Sequence, residues 1–255
     1  MCSVQSIYQV CPACLPCPSC PSSPQPVIAP SGNSVGCSLQ QILDGYDDLY
    51  EREALFRKQK FLCVTMMQDP NDAQVISEIL FDVKPDLIIE TGTNNGGSAL
   101  YWAAHLSKFM ENFRIVTMDV VTIDQIIAEI PSDDPRKNKL FQDHVVCILR
   151  SSTAAETIAE IEGHVSRASR VLVLLDSNHD YWHVLQEMDL YHKYVSKGSY
   201  MIVEDTKLDR LLKAPGPMKA AQDWIAANQH LDFVVDKGRE YLYYTQHKNG
   251  FLKKL

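Results

Sequence analysis

Five short apolar runs, separated by segments long enough to hold a helix, constrain the fold of this chain more than any other feature. They are rich in β-branched and aliphatic residues and lie at residues 87–90, 115–119, 144–149, 171–176 and 200–204. Strands that alternate with helical segments form a parallel sheet with helices packed on both faces. The pattern therefore predicts an α/β, doubly wound, mostly parallel sheet.

The segments before and after these runs complete the expected domain. Helical periodicity covers residues 39–60 and 72–80, and Asn71 or Asp72 is a suitable N-cap for the second helix. Near the end of the chain, the runs 233–235 and 241–245 flank a short turn at 236–239, which predicts an antiparallel hairpin. A parallel sheet that ends in a hairpin is typical of the Rossmann-like methyltransferase variant of the fold.

The first 37 residues differ in composition from the rest. Six of the eight cysteines and seven of the thirteen prolines lie there, and no charged residue occurs before Asp44. Dense proline disfavours both helix and sheet, so we expect residues 1–37 to be a disordered or polyproline-like tail preceding a domain at 38–255. The four cysteines spaced three residues apart (11, 14, 17 and 20) could bind metal, form disulfides or accept acyl chains.

Charge and hydropathy limit the partners and the location. The formal net charge is −8 and no basic block is present beyond Lys253 and Lys254, which argues against nucleic acid. No apolar run is long enough for a transmembrane helix, and no secretory signal is recognisable. With only Cys63 and Cys147 in the body of the chain, we expect a reducing, cytoplasmic location, with membrane association through the N-terminal cysteines left open.

A glycine-rich stretch follows the first predicted strand. Glu90 precedes the turn, and the turn contains Gly92, Thr93, Gly96, Gly97 and Ser98. The dinucleotide pattern G-x-G-x-x-G does not fit, and a carboxylate ahead of the first glycine would repel a pyrophosphate. S-adenosylmethionine, which carries a sulfonium and an ammonium group, fits better. Asp119 ends the next strand, where such folds bind ribose hydroxyls. The alternative is a tight turn whose glycines serve packing alone.

Acidic residues also end the fourth and fifth predicted strands. Asp176 follows one, and Glu204 with Asp205 follows the other. Because the carboxyl ends of parallel strands share one edge of the sheet, these three carboxylates should meet and repel one another. A hard cation such as Mg²⁺ would relieve that repulsion and lower the pKa of a bound hydroxyl. The cluster therefore indicates metal-assisted O-methylation, and solvated acids at strand ends are the alternative.

Two histidines leave another chemistry open. His179 and His183 have the spacing by which a helix offers two zinc ligands, so a zinc hydrolase is an alternative. The apolar stripe of the same segment places His183 beside the buried face, where a structural role is more common. His179, in the loop, is the better candidate for proton removal or substrate contact.

Three stretches together resemble one known family. Residues 84–103, 171–206 and 216–255 are similar to the family of the cephalosporin-pathway protein once called a cephalosporin hydroxylase and of the mycobacterial rhamnosyl O-methyltransferases. The resemblance implies an S-adenosylmethionine-dependent O-methyltransferase with Mg²⁺ on Asp176, Glu204 and Asp205. It also implies an adenine-side contact at Ser152, although this chain has Arg150 where family members often have glycine.

The sequence thus predicts a methyltransferase that acts on a hydroxyl of a small molecule, sugar or glycolipid. Its catalytic candidates are His179 and Asp176. A non-catalytic nucleoside-binding module is the remaining alternative, and a homo-oligomer is left open. Fold and cofactor do not identify the acceptor.

Overall fold

A seven-stranded sheet forms the centre of the fold and confirms the predicted mixed, mostly parallel architecture. The computed structural model describes residues 37–255, so the predictions made for the Cys/Pro-rich segment before Cys37 lie outside the described residues. The seven strands are β3 (Leu87–Thr91), β4 (Arg114–Asp119), β5 (Val145–Leu149), β6 (Val171–Leu175), β7 (Tyr200–Val203), β8 (Phe233–Val235) and β9 (Phe251–Lys254). Their order across the sheet is β5-β4-β3-β6-β7-β9-β8.

The first five of these strands are parallel, β9 is antiparallel to β7, and β8 is antiparallel to β9. A separate two-stranded ribbon joins β1 (Lys60–Phe61) to β2 (Val64–Thr65). Strand order reverses between β3 and β6, because β4 and β5 lie on one side of β3 and the later strands on the other. In open α/β sheets, ligands bind beyond the carboxyl ends of the strands at such a switch point.

Helices cover both faces of the sheet. They are α1 (Leu39–Arg52), α2 (Pro70–Val83), α3 (Gly97–Leu106), α4 (Ile123–Glu129), α5 (Lys139–His144), α6 (Ala155–Val165), α7 (Tyr181–Tyr191), α8 (Leu208–Leu212) and α9 (Pro217–Ala227). None of the helices in residues 37–255 is long and apolar enough to cross a membrane.

The alternation of side chains along each strand divides the core into two layers. Ile88 of β3 packs with Leu172 and Trp102 on one face, while Leu87 and Ile89 pack on the other face with a layer that includes Trp224. All five residues of β3 are buried. Burial on both faces explains why the parallel strands read as continuous apolar runs.

The prediction that residues 241–245 form the second strand of a C-terminal hairpin is wrong. Residues 241–245 form a turn followed by irregular chain, and the partner of β8 is β9, which begins at Phe251. Two local features oppose a strand. Tyr243 has a left-handed backbone with φ of 65°, and Asp236 accepts a hydrogen bond from the Gly238 amide to start a short 3-10 helix. The segment instead contacts distant helices, since Thr245 bonds to Asp72.

The helix boundaries near the N-terminus also differ from the prediction. The N-cap of α2 is Asp69, which accepts a hydrogen bond from the Asn71 amide, with Pro70 at the first helical position. This arrangement is a common helix start, because proline lacks a donor where none is needed. The helical pattern predicted for 39–60 ends at Arg52, and Ala54, with φ of 46°, separates α1 from a short 3-10 helix at Leu55–Arg57.

Candidate active site

One cavity of about 680 Å³ lies at the carboxyl edge of the sheet. Its walls come from the β3–α3 loop, from the ends of β4, β5 and β6, from the loop after β7, and from residues around α1 and β2. Of the residues predicted to form the site, those that line it are Gly92, Thr93, Gly97, Ser98, Asp119, Ser152, Asp176, His179 and Asp205. The switch point of the sheet therefore holds most of the predicted side chains.

The glycines of the β3–α3 loop meet other parts of the protein. A Cβ on Gly92, whose φ is +90°, would lie 2.0 Å from the Asp176 carbonyl oxygen. A Cβ on Gly97 would lie 2.1 Å from the Thr65 carbonyl oxygen. Gly96 has φ of +75° and faces Phe141. These glycines permit close backbone approach and thereby hold the loop against the cavity.

Glu90 lies beneath the glycine loop and is absent from the cavity lining. Its side chain is 2% exposed, and its Oε1 accepts a hydrogen bond from Trp102 Nε1 at 3.1 Å. The second carboxylate oxygen is buried without a partner. Burial raises the pKa of Glu90 to about 7. A cofactor contact by Glu90 therefore stays a prediction, and any influence on the cavity would act through its charge.

Asp119 and Ser152 stand at the other end of the cavity from the loop after β7. Asp119 Oδ2 accepts the Asn94 amide at 2.9 Å, and Oδ1 accepts the Val121 amide at 3.1 Å. Ser152 is held from behind, because its carbonyl accepts a 2.6 Å hydrogen bond from the Tyr191 hydroxyl. Hydrogen bonds thus hold the carboxylate of Asp119 and the backbone of Ser152 in place.

Asp176, His179 and Asp205 converge on one point of the cavity wall. Each offers a ligand atom, and these atoms lie within 4.8 Å of one another. His179 Nε2 is 3.4 Å from Asp205 Oδ2. Burial raises the pKa of Asp176 well above its usual value, and the charges of Glu204 and Asp205 raise it further. A cation bound here would offset that repulsion.

Glu204, predicted as a third metal ligand, does not line the cavity. It is 2% exposed, its Oε2 accepts a hydrogen bond from Gln68, and it lies 3.4 Å from His247 Nε2. Burial raises the pKa of Glu204 to about 7. A metal-ligand role for Glu204 stays a prediction.

His247, Gln68 and Lys207 belong to the site but did not stand out in the sequence. His247 Nδ1 accepts the Asp205 amide at 2.9 Å, which places the ring proton of the neutral imidazole on Nε2. Asp205 has φ of 53°, a left-handed conformation held at the site. Lys207 forms a 2.7 Å ion pair with Glu51. Of these three residues, only Lys207 could have been suspected from the sequence, because it lies two residues after the predicted metal ligand Asp205.

His183 is separate from the cluster of Asp176, His179 and Asp205. Its Nε2 lies 3.2 Å from Ser152 Oγ, 3.2 Å from Ser177 Oγ and 3.3 Å from Glu187 Oε1. The hydrogen bond to Glu187 raises the pKa of His183. The two histidines of the predicted zinc pair thus have different neighbours: His179 lies beside Asp176 and Asp205, and His183 does not. The contacts of His183 with Ser152 and Ser177 connect the loops that follow β5 and β6.

Comparison with known proteins identifies the family. The model of the Rhamnosyl O-methyltransferase/CmcI family matches residues 53–255. The chain belongs to this family. Rhamnosyl O-methyltransferase of Mycobacterium bovis (strain BCG / Pasteur 1173P2) is 28% identical over 219 residues, which cover 83% of this chain and 84% of the relative. Rhamnosyl O-methyltransferase of Mycobacterium leprae is 27% identical over 219 residues, which cover 83% of this chain and 90% of the relative.

Solved structures support the same fold for this member of the Rhamnosyl O-methyltransferase/CmcI family. A CmcI structure with Mg and S-adenosylmethionine has a TM-score of 0.58 at 14% identity, covering 77% of this chain and 76% of the other. A CmcI structure with S-adenosylhomocysteine has a TM-score of 0.56 at 14% identity, and the match covers 77% of this chain and 82% of the other. The protein is therefore a member of a family of S-adenosylmethionine-dependent O-methyltransferases, as the sequence resemblance implied.

Proposed function

We propose that the protein is a Mg²⁺-assisted methyltransferase that methylates a hydroxyl of a small molecule, sugar or glycolipid. The observation that carries this proposal is that one cavity contains both Asp119 and the group of Asp176, His179 and Asp205. The names of the mycobacterial relatives specify a rhamnosyl acceptor, which supports a sugar hydroxyl as the acceptor class here.

The charge of the cavity suits the proposed ligands. Four carboxylates line it, on Glu51, Asp119, Asp176 and Asp205, against two cations. Both cations are paired, Arg150 with Glu160 and Lys207 with Glu51. The wall therefore retains unpaired negative charge, which attracts a cofactor with sulfonium and ammonium groups and a divalent metal.

The residues divide between the two ligands. Asp119 would accept hydrogen bonds from ribose hydroxyls, with Ser152 on the adenine side and the loop of Gly92 and Thr93 alongside. Asp176 and Asp205 would hold the metal, with either His179 or Glu204 as a further ligand. When bound, S-adenosylmethionine supplies the methyl group and Mg²⁺ lowers the pKa of the acceptor hydroxyl. With Glu204 as the further ligand, His179 would be free to take the hydroxyl proton at Nε2, the nitrogen that faces Asp205.

Equilibrium binding tests the proposal. We expect calorimetry to detect both S-adenosylmethionine and S-adenosylhomocysteine, with nearly the same affinity in the presence of Mg²⁺ and after chelation, because the metal residues lie apart from Asp119. Binding of a nicotinamide dinucleotide instead would defeat the proposal. Cofactor binding with no methyl transfer to any hydroxyl acceptor would favour the non-catalytic nucleoside-binding module.

A further inference from the structure

The end of the cavity beyond the metal group has a composition of its own. It is lined by residues that precede β3 and follow β7, namely Glu51, Phe56, Thr65, Met67, Gln68, Lys207, Leu208 and Gln246. We call these eight residues the distal wall. Under the proposed function, Asp119 and Ser152 hold the cofactor on the far side of Asp176. The distal wall is then the surface that faces the acceptor.

An ion pair in this wall carries no net charge. The Lys207 side chain is 4% exposed, and its Nζ lies 2.7 Å from Glu51 Oε1 and 3.8 Å from Asp205 Oδ1. The ammonium also lies 4.8 Å from the centre of the Tyr50 ring. A buried ammonium held in this way is already neutralised, so it offers little attraction to an anionic group on the acceptor.

A second feature points to a ligand with hydroxyl donors. Gln68 is 3% exposed and its Nε2 is committed to Glu204, but its Oε1 is buried with no hydrogen-bond partner. A buried amide oxygen without a partner is destabilising until a donor reaches it. Phe56 and Met67 add an apolar surface beside it. Cavities with this mixture of apolar surface and a few fixed polar atoms bind organic ligands.

Glu51 lies outside the part of the chain that the family model matches. The match begins at residue 53, whereas Lys207 and Gln68 lie within it. The ion pair therefore joins a lysine of the shared domain to a carboxylate supplied by α1 of this chain. Such a residue can adjust acceptor choice without altering the cofactor and metal sites.

We propose that Glu51 determines acceptor charge by neutralising Lys207, so that the distal wall selects uncharged hydroxyl acceptors over acceptors that carry a carboxylate or phosphate. The proposal rests on the proposed function, because it takes the distal wall as the acceptor side. Glu51 is a specificity-determining residue in this scheme, and Gln68 Oε1 accepts a hydrogen bond from a hydroxyl group of the acceptor.

The test uses two probes that differ only at C6, methyl α-D-glucopyranoside with a neutral hydroxymethyl group and methyl α-D-glucuronide with a carboxylate. Binding of each is measured by calorimetry with Mg²⁺ and S-adenosylhomocysteine present. Wild-type protein should bind the neutral glycoside at least about tenfold more tightly than the glucuronide. Glu51→Gln removes the nearer of the two carboxylates beside Lys207 and leaves only Asp205, at 3.8 Å, so the preference should move towards the glucuronide by about tenfold or more, as expected for a close charge pair.

Two variants serve as controls. Glu53→Gln makes the same chemical change two residues away, at an exposed side chain whose ion partner is Arg52, and should leave the preference as in wild type. The double variant Glu51→Gln/Lys207→Met removes both charges and should restore the preference for the neutral glycoside. The double variant also addresses the folding risk of Glu51→Gln, since it leaves no unpaired buried charge.

The outcomes separate this inference from the proposed function. An unchanged preference in Glu51→Gln, with S-adenosylhomocysteine still bound, would overturn the role of Glu51 and leave the methyltransferase proposal standing. A wild-type cavity that binds neither probe, or that prefers the glucuronide, would also overturn it. Loss of S-adenosylhomocysteine binding by the wild-type protein would remove the proposed function and the inference together.

Discussion

At the scale of single residues, the site depends on carboxylates whose surroundings differ sharply. Asp119 is held by two backbone amides, Glu90 is buried beside Trp102, and Asp176 faces two other acids. Identical functional groups therefore have different electrostatic surroundings, because their burial and neighbouring charges differ.

Glu90 provides a test of buried charge. Because its folded-state pKa is raised to about 7, the folded protein binds this proton more tightly than the unfolded chain does. The free energy of unfolding therefore falls as pH rises from about 4 to about 7, and the full penalty applies above that range. Glu90→Gln removes the penalty, so it should exceed wild type in stability by up to about 3 kcal/mol at pH 8 and by little near pH 5.

Denaturant unfolding at the two pH values measures this difference. Glu111→Gln is a matched control, because Glu111 is exposed. If the Glu90 and Glu111 variants showed the same pH dependence relative to wild type, the burial argument for Glu90 would be wrong.

Asp119 should control cofactor affinity. Asp119→Ala removes the proposed acceptor of the ribose hydroxyls and should weaken binding of S-adenosylhomocysteine by about 1–3 kcal/mol, with Asp119→Asn in between. Asp143→Ala is the control, because Asp143 is an exposed acidic residue within α5. Calorimetry gives the three affinities. Equal affinity of wild type and Asp119→Ala would remove Asp119 from the cofactor site.

His179 should influence which metal binds. Magnesium prefers oxygen ligands, whereas imidazole suits zinc better. If Asp176 and Asp205 are the main ligands, His179→Ala should retain Mg²⁺ affinity within about threefold and lose more of its Zn²⁺ affinity. Competition with a fluorescent chelator measures both metals. Complete loss of Mg²⁺ binding would make His179 an obligatory ligand.

At the scale of elements, the parallel strands and the site they carry could be predicted because both depend on local sequence. Each strand of the parallel sheet is an apolar run, and its carboxyl end shares one edge with its neighbours, so Asp119, Asp176 and Asp205 meet there. The contacts of His247 with Asp205 and of Gln68 with Glu204 span 42 and 136 residues, and no local pattern encodes them. The missing hairpin strand has this cause in part, since the contact of Thr245 with Asp72 adds to the left-handed backbone of Tyr243 in opposing a strand at 241–245.

The β3–α3 turn depends on glycine for close packing. In Gly97→Ala the new Cβ would lie 2.1 Å from the Thr65 carbonyl oxygen, so we expect a loss of more than about 2 kcal/mol in the free energy of unfolding. Gly45→Ala is the control, because a Cβ there has nothing within 4 Å and the residue is inside α1. That change should stabilise the protein by about 0.5–1 kcal/mol. Equal effects of the two substitutions on the denaturation midpoint would contradict the packing role of Gly97.

At the scale of the whole molecule, residues 40–255 form one compact unit around the sheet. The fold class and the family could be predicted from the sequence, because the strand pattern and three separate motifs agree. The distal wall could not, since it joins α1 to the loop after β7, and the sequence contains no sign of that contact. The family match likewise leaves Glu51 outside its limits.

The central claim is that one cavity binds the cofactor and the metal through different residues, Asp119 for the cofactor and Asp176 with Asp205 for the metal. Calorimetric titration of Mg²⁺ into metal-free wild-type protein, Asp176→Asn and Asp119→Ala tests it most directly. We predict that Asp176→Asn loses Mg²⁺ binding, because it removes one charge of the metal group while preserving its shape, whereas Asp119→Ala binds Mg²⁺ as wild type does. Equal Mg²⁺ binding by all three proteins, or its loss in Asp119→Ala alone, would contradict the account.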